Sequence, residues 1–158
     1  MLRISRLTDY AILVLGHMAQ DAGTTHAATD LAEASGVAVP TVSKILKALT
    51  KSEILKSTRG AKGGYALSRP PEQTSVAAVI YALEGPIALT ECESEHGGCR
   101  QSESCHARAN WDVINRAIRS ALESVSLADM ARPVKVPDEI HVPVSSLYQP
   151  RKKVLSAE

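Results

Sequence analysis

Residues 28–51 read ATDLAEASGVAVPTVSKILKALTK, two helical patterns divided by a glycine. The first pattern, 28–35, is short, with Leu31 and either Ala34 or Ala32 turned inward. Gly36 stands where a helix often ends in a left-handed residue. Pro40 opens the second pattern, because a proline in the first turn lacks only an N–H that would be unpaired anyway. From Pro40 to Lys51, Val42, Ile45, Leu46 and Leu49 recur at steps of three and four, the mark of one buried face. Thr41, Ser43, Lys44 and Lys47 lie on or near the other face. Helix, glycine turn, helix is the helix-turn-helix arrangement, in which the second helix enters a DNA major groove.

The flanking segments extend this unit. Upstream, 6–20 carries Leu7, Ala11, Val14 and Met18 at helical spacing, flanked by Tyr10 and Leu15, with Ser5 as the expected N-cap. Downstream, the period changes. Residues 54–57 and 65–68 read as two strands around the turn-rich tip TRGAKGG at 58–64. Arg59 and Lys62 sit at that tip, where a cation reaches phosphates or a minor groove. A single exposed cation is more often a solvated charge than a ligand contact. The conjunction of helices, glycine turn and basic hairpin is what points to a winged helix-turn-helix binding double-stranded DNA.

Further along, 74–84 predicts a fourth helix, ended by Gly85-Pro86. Residues 107–128 predict one long helix with Trp111, Ile114, Ile118, Ala121 and Val125 as a seam, and Arg116 and Arg119 outside it. Such a seam suits pairing with a second copy, since major-groove readers often bind two half-sites as dimers. The expected fold is mainly α with a small β-hairpin wing. Residues 1–70 form the DNA-binding region. Residues 71–130 hold a linker helix, a cysteine loop and a dimerisation helix. Residues 131–158, with four prolines and a basic end, form an extended or disordered tail.

Charge follows the same division. Over 1–70, nine Lys/Arg face five Asp/Glu, whereas over 71–150 six face eleven, although the whole chain is only +1. A basic first half fits a nucleic-acid partner. No apolar run reaches membrane-span length and no cleavable leader follows Met1, so a cytoplasmic, non-membrane protein with reduced thiols is expected.

All three cysteines, Cys92, Cys99 and Cys105, fall within fourteen residues, with His96 and His106 beside them. Their neighbours are Glu, Ser, Gly and His rather than the apolar side chains that surround an inert buried thiol. Three thiols cannot all pair as disulfides. Soft, charged thiolates on one loop suit a metal or cluster, though the spacing is not the paired CxxC of a structural zinc site. No nucleotide-binding glycine loop and no framed Cys-His pair is present, so an enzyme is not expected.

The order of elements, the wing Thr58-Arg59-Gly60 to Gly63-Gly64-Tyr65 and the late three-cysteine loop resemble the iron–sulfur-sensing winged-helix regulators of bacteria, the IscR/NsrR-type family. The likeness runs from residue 2 to about 130 and is nearest to regulators of the SUF cluster-assembly operon. It implies a homodimer, operator contacts from the recognition helix and Arg59, and one cluster per subunit on Cys92, Cys99 and Cys105, 2Fe-2S in preference to 4Fe-4S. One departure stands out: the first cysteine gap holds six residues where the family often has five. Some members place a histidine three residues after the last cysteine, but here that residue is Arg108. Others use an aspartate early in the first helix, supplied by the partner subunit, which makes Asp9 the first candidate for fourth ligand, then His106, then His96. The implied role is a repressor of cluster-assembly genes. The alternative is a nitric-oxide or thiol-redox sensor of the same fold.

Overall fold

Apolar spacing determines how the helices pack. The computed structural model describes residues 3–60, 63–90 and 105–132. Lys62, Cys92, His96, Cys99 and the tail beyond Arg132 lie outside the described residues. Helix α1 spans Arg6–Gln20, and the Ser5 hydroxyl caps it by accepting from Thr8 N–H at 3.2 Å. Its stripe of Ala11, Val14, Leu15 and Met18 is buried. Helix α2, Ala28–Ser35, turns Leu31 and Ala32 inward and leaves Ala34 exposed. It ends at Gly36, whose φ of 68° is the left-handed conformation that glycine adopts without a Cβ penalty. Helix α3 is Val39–Lys51, one residue longer at its start than the proline suggested. Val42, Ile45, Leu46 and Leu49 are fully buried in it.

The chain then forms strands β1, Leu55–Thr58, and β2, Gly64–Leu67, an antiparallel pair with Leu55 opposite Leu67 and Thr58 opposite Gly64. A third segment joins this wing. His26 N–H donates to the Tyr65 carbonyl at 2.8 Å, and Tyr65 N–H donates back at 2.9 Å. A Cβ on Gly64 would strike the His26 carbonyl, so the close approach of these two backbones requires glycine.

A single 3₁₀ turn, Pro71–Gln73, leads to α4, Val76–Glu84. This helix starts two residues later than the periodicity indicated. Ser75 is its cap, and Thr74 is engaged elsewhere. The long helix expected over 107–128 is two helices, α5 at Arg108–Glu123 and α6 at Leu127–Ala131. Ser126 causes the break. Its hydroxyl accepts from Asp129 N–H at 3.2 Å, while the Asp129 carboxylate accepts from Ser126 N–H at 2.9 Å. That reciprocal capping box starts a new helix. On either side of it, Val76 N–H donates to the Val125 carbonyl at 2.9 Å and Leu127 N–H to the Thr74 carbonyl at 2.8 Å. Val125 therefore belongs to a bridge and not to the helical seam.

One apolar cluster joins Val14, Leu31, Ile45, Leu46, Leu55, Val79 and Leu127, so α1, α2, α3, β1, α4 and α6 share a core. Each fully buried leucine contributes about 1.5–3 kcal/mol by leaving water. Helix α1 packs on α6, α2 and α4, and α5 packs on α4. No described helix is long and apolar enough to cross a membrane.

Candidate functional site

The burial of one face of α3 fixes what the other presents. With Val42, Ile45, Leu46 and Leu49 in the core, Lys44 and Lys47 are exposed, and so is Lys51 a turn later. These three cations recur at steps of three and four and share one side of the helix. Thr41 and Ser43 are half-buried at the start of that side. Val39, 44% exposed, and Pro40 flank them. An apolar pair beside short hydroxyls and lysines suits contact with base edges and phosphates.

Directly after α3 the chain turns sharply into the wing. Ile54 N–H donates to the Leu49 carbonyl at 3.0 Å and Glu53 N–H to the Thr50 carbonyl at 3.1 Å, with Glu53 at φ 58°. This Schellman-type ending carries a glutamate where glycine is usual. Arg59 follows β1 and is exposed beside Gly60. Gly63 N–H donates back to the Gly60 carbonyl at 2.8 Å, closing the tip. The predicted contacts on α3 and Arg59 thus belong to consecutive elements joined by one tight turn, and Lys62 lies outside the described residues.

The sulfur-bearing part is reached through α5. Cys105 is half-buried, with a free thiol, and its carbonyl accepts from Arg108 N–H at 3.3 Å where α5 begins. His106 is exposed beside it. Asp9 is exposed in the first turn of α1, in a surface recess of about 450 Å³ shared with Arg3, Ser5 and Arg6. Among the described residues no three His, Cys, Asp or Glu side chains come together, and Cys92 and Cys99 lie outside them. The undisulfided, partly open thiol at Cys105 is a donor of the kind an iron–sulfur cluster takes, and Asp9 presents an unenclosed carboxylate.

Three residues here were not anticipated from the sequence. Asn115 is 2% exposed, and its side-chain carbonyl accepts from Leu89 N–H at 2.8 Å. A polar residue on the helical row of Trp111, Ile118 and Leu122 was the available signal. Glu84, at the end of α4, accepts from the Thr8 hydroxyl at 2.5 Å and from Ser5 N–H at 2.9 Å. The Thr8 hydroxyl is the chief reason its carboxyl sits below the ordinary glutamate value, with Ser5 adding to the effect and burial opposing it. Thr8 itself is fully buried. Glu84 thereby fixes the turn that bears Asp9 to the end of α4. On α5, Trp111 and Ile114 stand 39% and 42% exposed, as an unpaired seam does.

Residues 4–133 match the model of the family described as Rrf2, iron-dependent transcriptional regulator. The rrf2 protein of Nitratidesulfovibrio vulgaris is 35% identical over 103 residues, 65% of this chain and 69% of its own. The regulator IscR of Xenorhabdus nematophila is 30% identical over 109 residues, 69% of this chain and 66% of its own. Among solved structures, CymR, the global cysteine regulator of B. subtilis, is similar at TM-score 0.66 and 26% identity, over 83% of this chain and 97% of that one. IscR of T. potens is similar at TM-score 0.62 and 28% identity, over 82% and 85%.

Proposed function

Because this chain belongs to the Rrf2 family of iron-dependent transcriptional regulators, we propose that it is a homodimer whose operator affinity is set by an iron–sulfur cluster. It is a DNA-binding transcriptional regulator of that family, not an enzyme. The finer reading is ours: the cluster is held by Cys92, Cys99 and Cys105, with Asp9 of the partner subunit as fourth ligand and His106 as the substitute. A 2Fe-2S cluster is preferred to 4Fe-4S, and the regulated genes are those of SUF-type cluster assembly, under repression.

The observation that carries this is the placement of Cys105 three residues ahead of α5, its carbonyl accepting from Arg108 N–H at 3.3 Å, on the helix that leaves Trp111 and Ile114 exposed. The thiol and the proposed seam for a second copy thus lie on one continuous stretch, the thiol just ahead of the helix that carries the seam. A cluster, when bound, neutralises thiolate charge that otherwise resists crowding. The chain's own residues do the rest. Trp111 and Ile114 bury against their counterparts across a two-fold axis. Lys44, Lys47, Thr41 and Ser43 enter the major groove, while Arg59 and Lys62 reach phosphates or the minor groove. Labour is divided accordingly: residues 1–70 read DNA, 71–130 sense and dimerise, and 131–158 form the tail.

Fluorescence anisotropy of iron-loaded and iron-free protein on one operator, at fixed salt, tests the coupling. Different affinities are expected, and equal ones overturn it while leaving DNA binding intact. A second reading is thiol-redox sensing by the cysteines without a cluster; CymR, the global cysteine regulator of B. subtilis, shares the fold. Visible absorbance of protein prepared without oxygen, with iron and sulfide counts, separates the two: a cluster absorbs, and thiols do not.

A further inference from the structure

Among the described elements, helix α5 leans on the DNA-reading body chiefly through α4. It packs against α4, yet a groove of about 770 Å³ opens between them, lined by Ala78, Tyr81, Ala82, Ile87 and Arg119. Packing alone therefore leaves its tilt under-determined. Two sets of polar contacts supply what packing lacks. At its end, the Val125–Val76 and Leu127–Thr74 bridge pins it to the start of α4. Near its middle, Asn115 accepts from Leu89 N–H at 2.8 Å, and Arg119 donates to the Ile87 carbonyl at 3.4 Å one turn on. Ile87 and Leu89 belong to the segment that leaves α4 and, three residues later in the sequence, reaches Cys92.

Asn115 is a costly choice for stability. Among the described residues its buried amide nitrogen has no hydrogen-bond partner. An unsatisfied buried donor is unfavourable, and an apolar side chain would avoid it. What an apolar side chain lacks is a neutral acceptor for Leu89.

We propose that Asn115 is a positioning residue, a latch that sets the angle of α5 against the reading body and so the separation of the two recognition helices. The proposal rests on the dimeric, two-half-site reading above. Half-site spacing is a geometric demand, so the latch governs spacing preference more than charge-driven affinity. Whatever occupies the sulfurs acts on α5 from both sides: through the peptide chain at Cys105 and through the latch at Leu89.

The test uses the full chain and its Asn115→Ala, Leu89→Pro and double variants. Each is measured on the wild-type operator and on the same DNA with one base pair inserted between half-sites. Amide exchange at Leu89 is followed in wild type and Asn115→Ala. Wild type is expected to prefer the unaltered operator. Either single variant should lose about tenfold of that preference, the worth of one well-placed hydrogen bond, and keep its affinity for random DNA. Leu89 should exchange about tenfold faster in Asn115→Ala. The double variant should resemble either single one, since both remove the same bond. Leu89→Pro deletes the N–H without touching α5, so it serves if Asn115→Ala folds poorly. Unchanged Leu89 exchange, or effects that simply add, overturns the latch. A wild type indifferent to the insertion sinks the dimeric reading instead, and Leu89 exchange then decides the latch by itself.

Discussion

At Glu84, one carboxylate oxygen joins two elements far apart in sequence. It receives the Thr8 hydroxyl and Ser5 N–H from the first turn of α1. The folded-state pKa is depressed below the usual value of 4.5, chiefly by Thr8. A depressed pKa means the stabilisation is present above the unfolded value and is lost as pH falls through the folded one. Glu84→Gln should therefore destabilise at neutral pH and become neutral at strongly acidic pH. Because the group is largely exposed, the difference should be small, about 0.5 kcal/mol or less after solvent screening. Thermal melts of both proteins from neutral to acidic pH measure it. Glu53 offers the opposite case. A glutamate at φ 58° occupies a position that glycine holds without a Cβ clash. Glu53→Gly should stabilise by about 0.5–1 kcal/mol, with a higher Tm and unaltered helix content. Neither residue announces its role in the sequence. Glu84 matters through a partner 76 positions away, and Glu53 through a backbone angle that the helix-to-wing turn imposes.

The wing is held by more than its own two strands. The paired hydrogen bonds between His26 and Tyr65 anchor it to the segment ahead of α2. Gly64 is where that contact is tightest. Gly64→Ala is expected to push the wing off His26 and lower operator affinity about tenfold, while the helical circular dichroism signal stays. Loss of helix signal instead would show the wing and helices to be one cooperative unit. The glycines at 60, 63 and 64 were legible as turn residues, but the need for glycine at 64 was not, because its cause is a backbone from another part of the chain. Likewise α5 and α6 were read as one helix. Periodicity continues through Val125, and only the Ser126–Asp129 box and the bridge to Thr74 and Val76 interrupt it. The sequence does hold a box of that type, but an apolar repeat across it masked the signal.

On the scale of the whole molecule, exposed surfaces matter more than the core. Trp111 and Ile114 on α5, with Tyr81 on α4, are large apolar side chains open to solvent. On the proposed dimeric reading, Ile114→Glu should turn a dimer into a monomer in sedimentation analysis and lower operator affinity, since two half-sites would then be read singly. The monomer should stay folded, because Ile114 lies outside the core cluster.

The sequence by itself determined the helix-turn-helix, the wing and the sulfur-rich segment. Each is written in neighbouring residues: the apolar step of three and four in α3, Gly36 at its αL turn, and three thiols within fourteen positions. Such features arise from local sterics and periodic burial, which a chain carries wherever it folds. Tertiary structure alone decided which polar groups meet across distance: Asn115 with Leu89, Glu84 with Thr8, Val125 and Leu127 with α4 and its approach. A hydrogen bond is satisfied by any nearby partner, so residue type does not say which one it finds. That depends on which backbones the packed core brings within about 3 Å of each other.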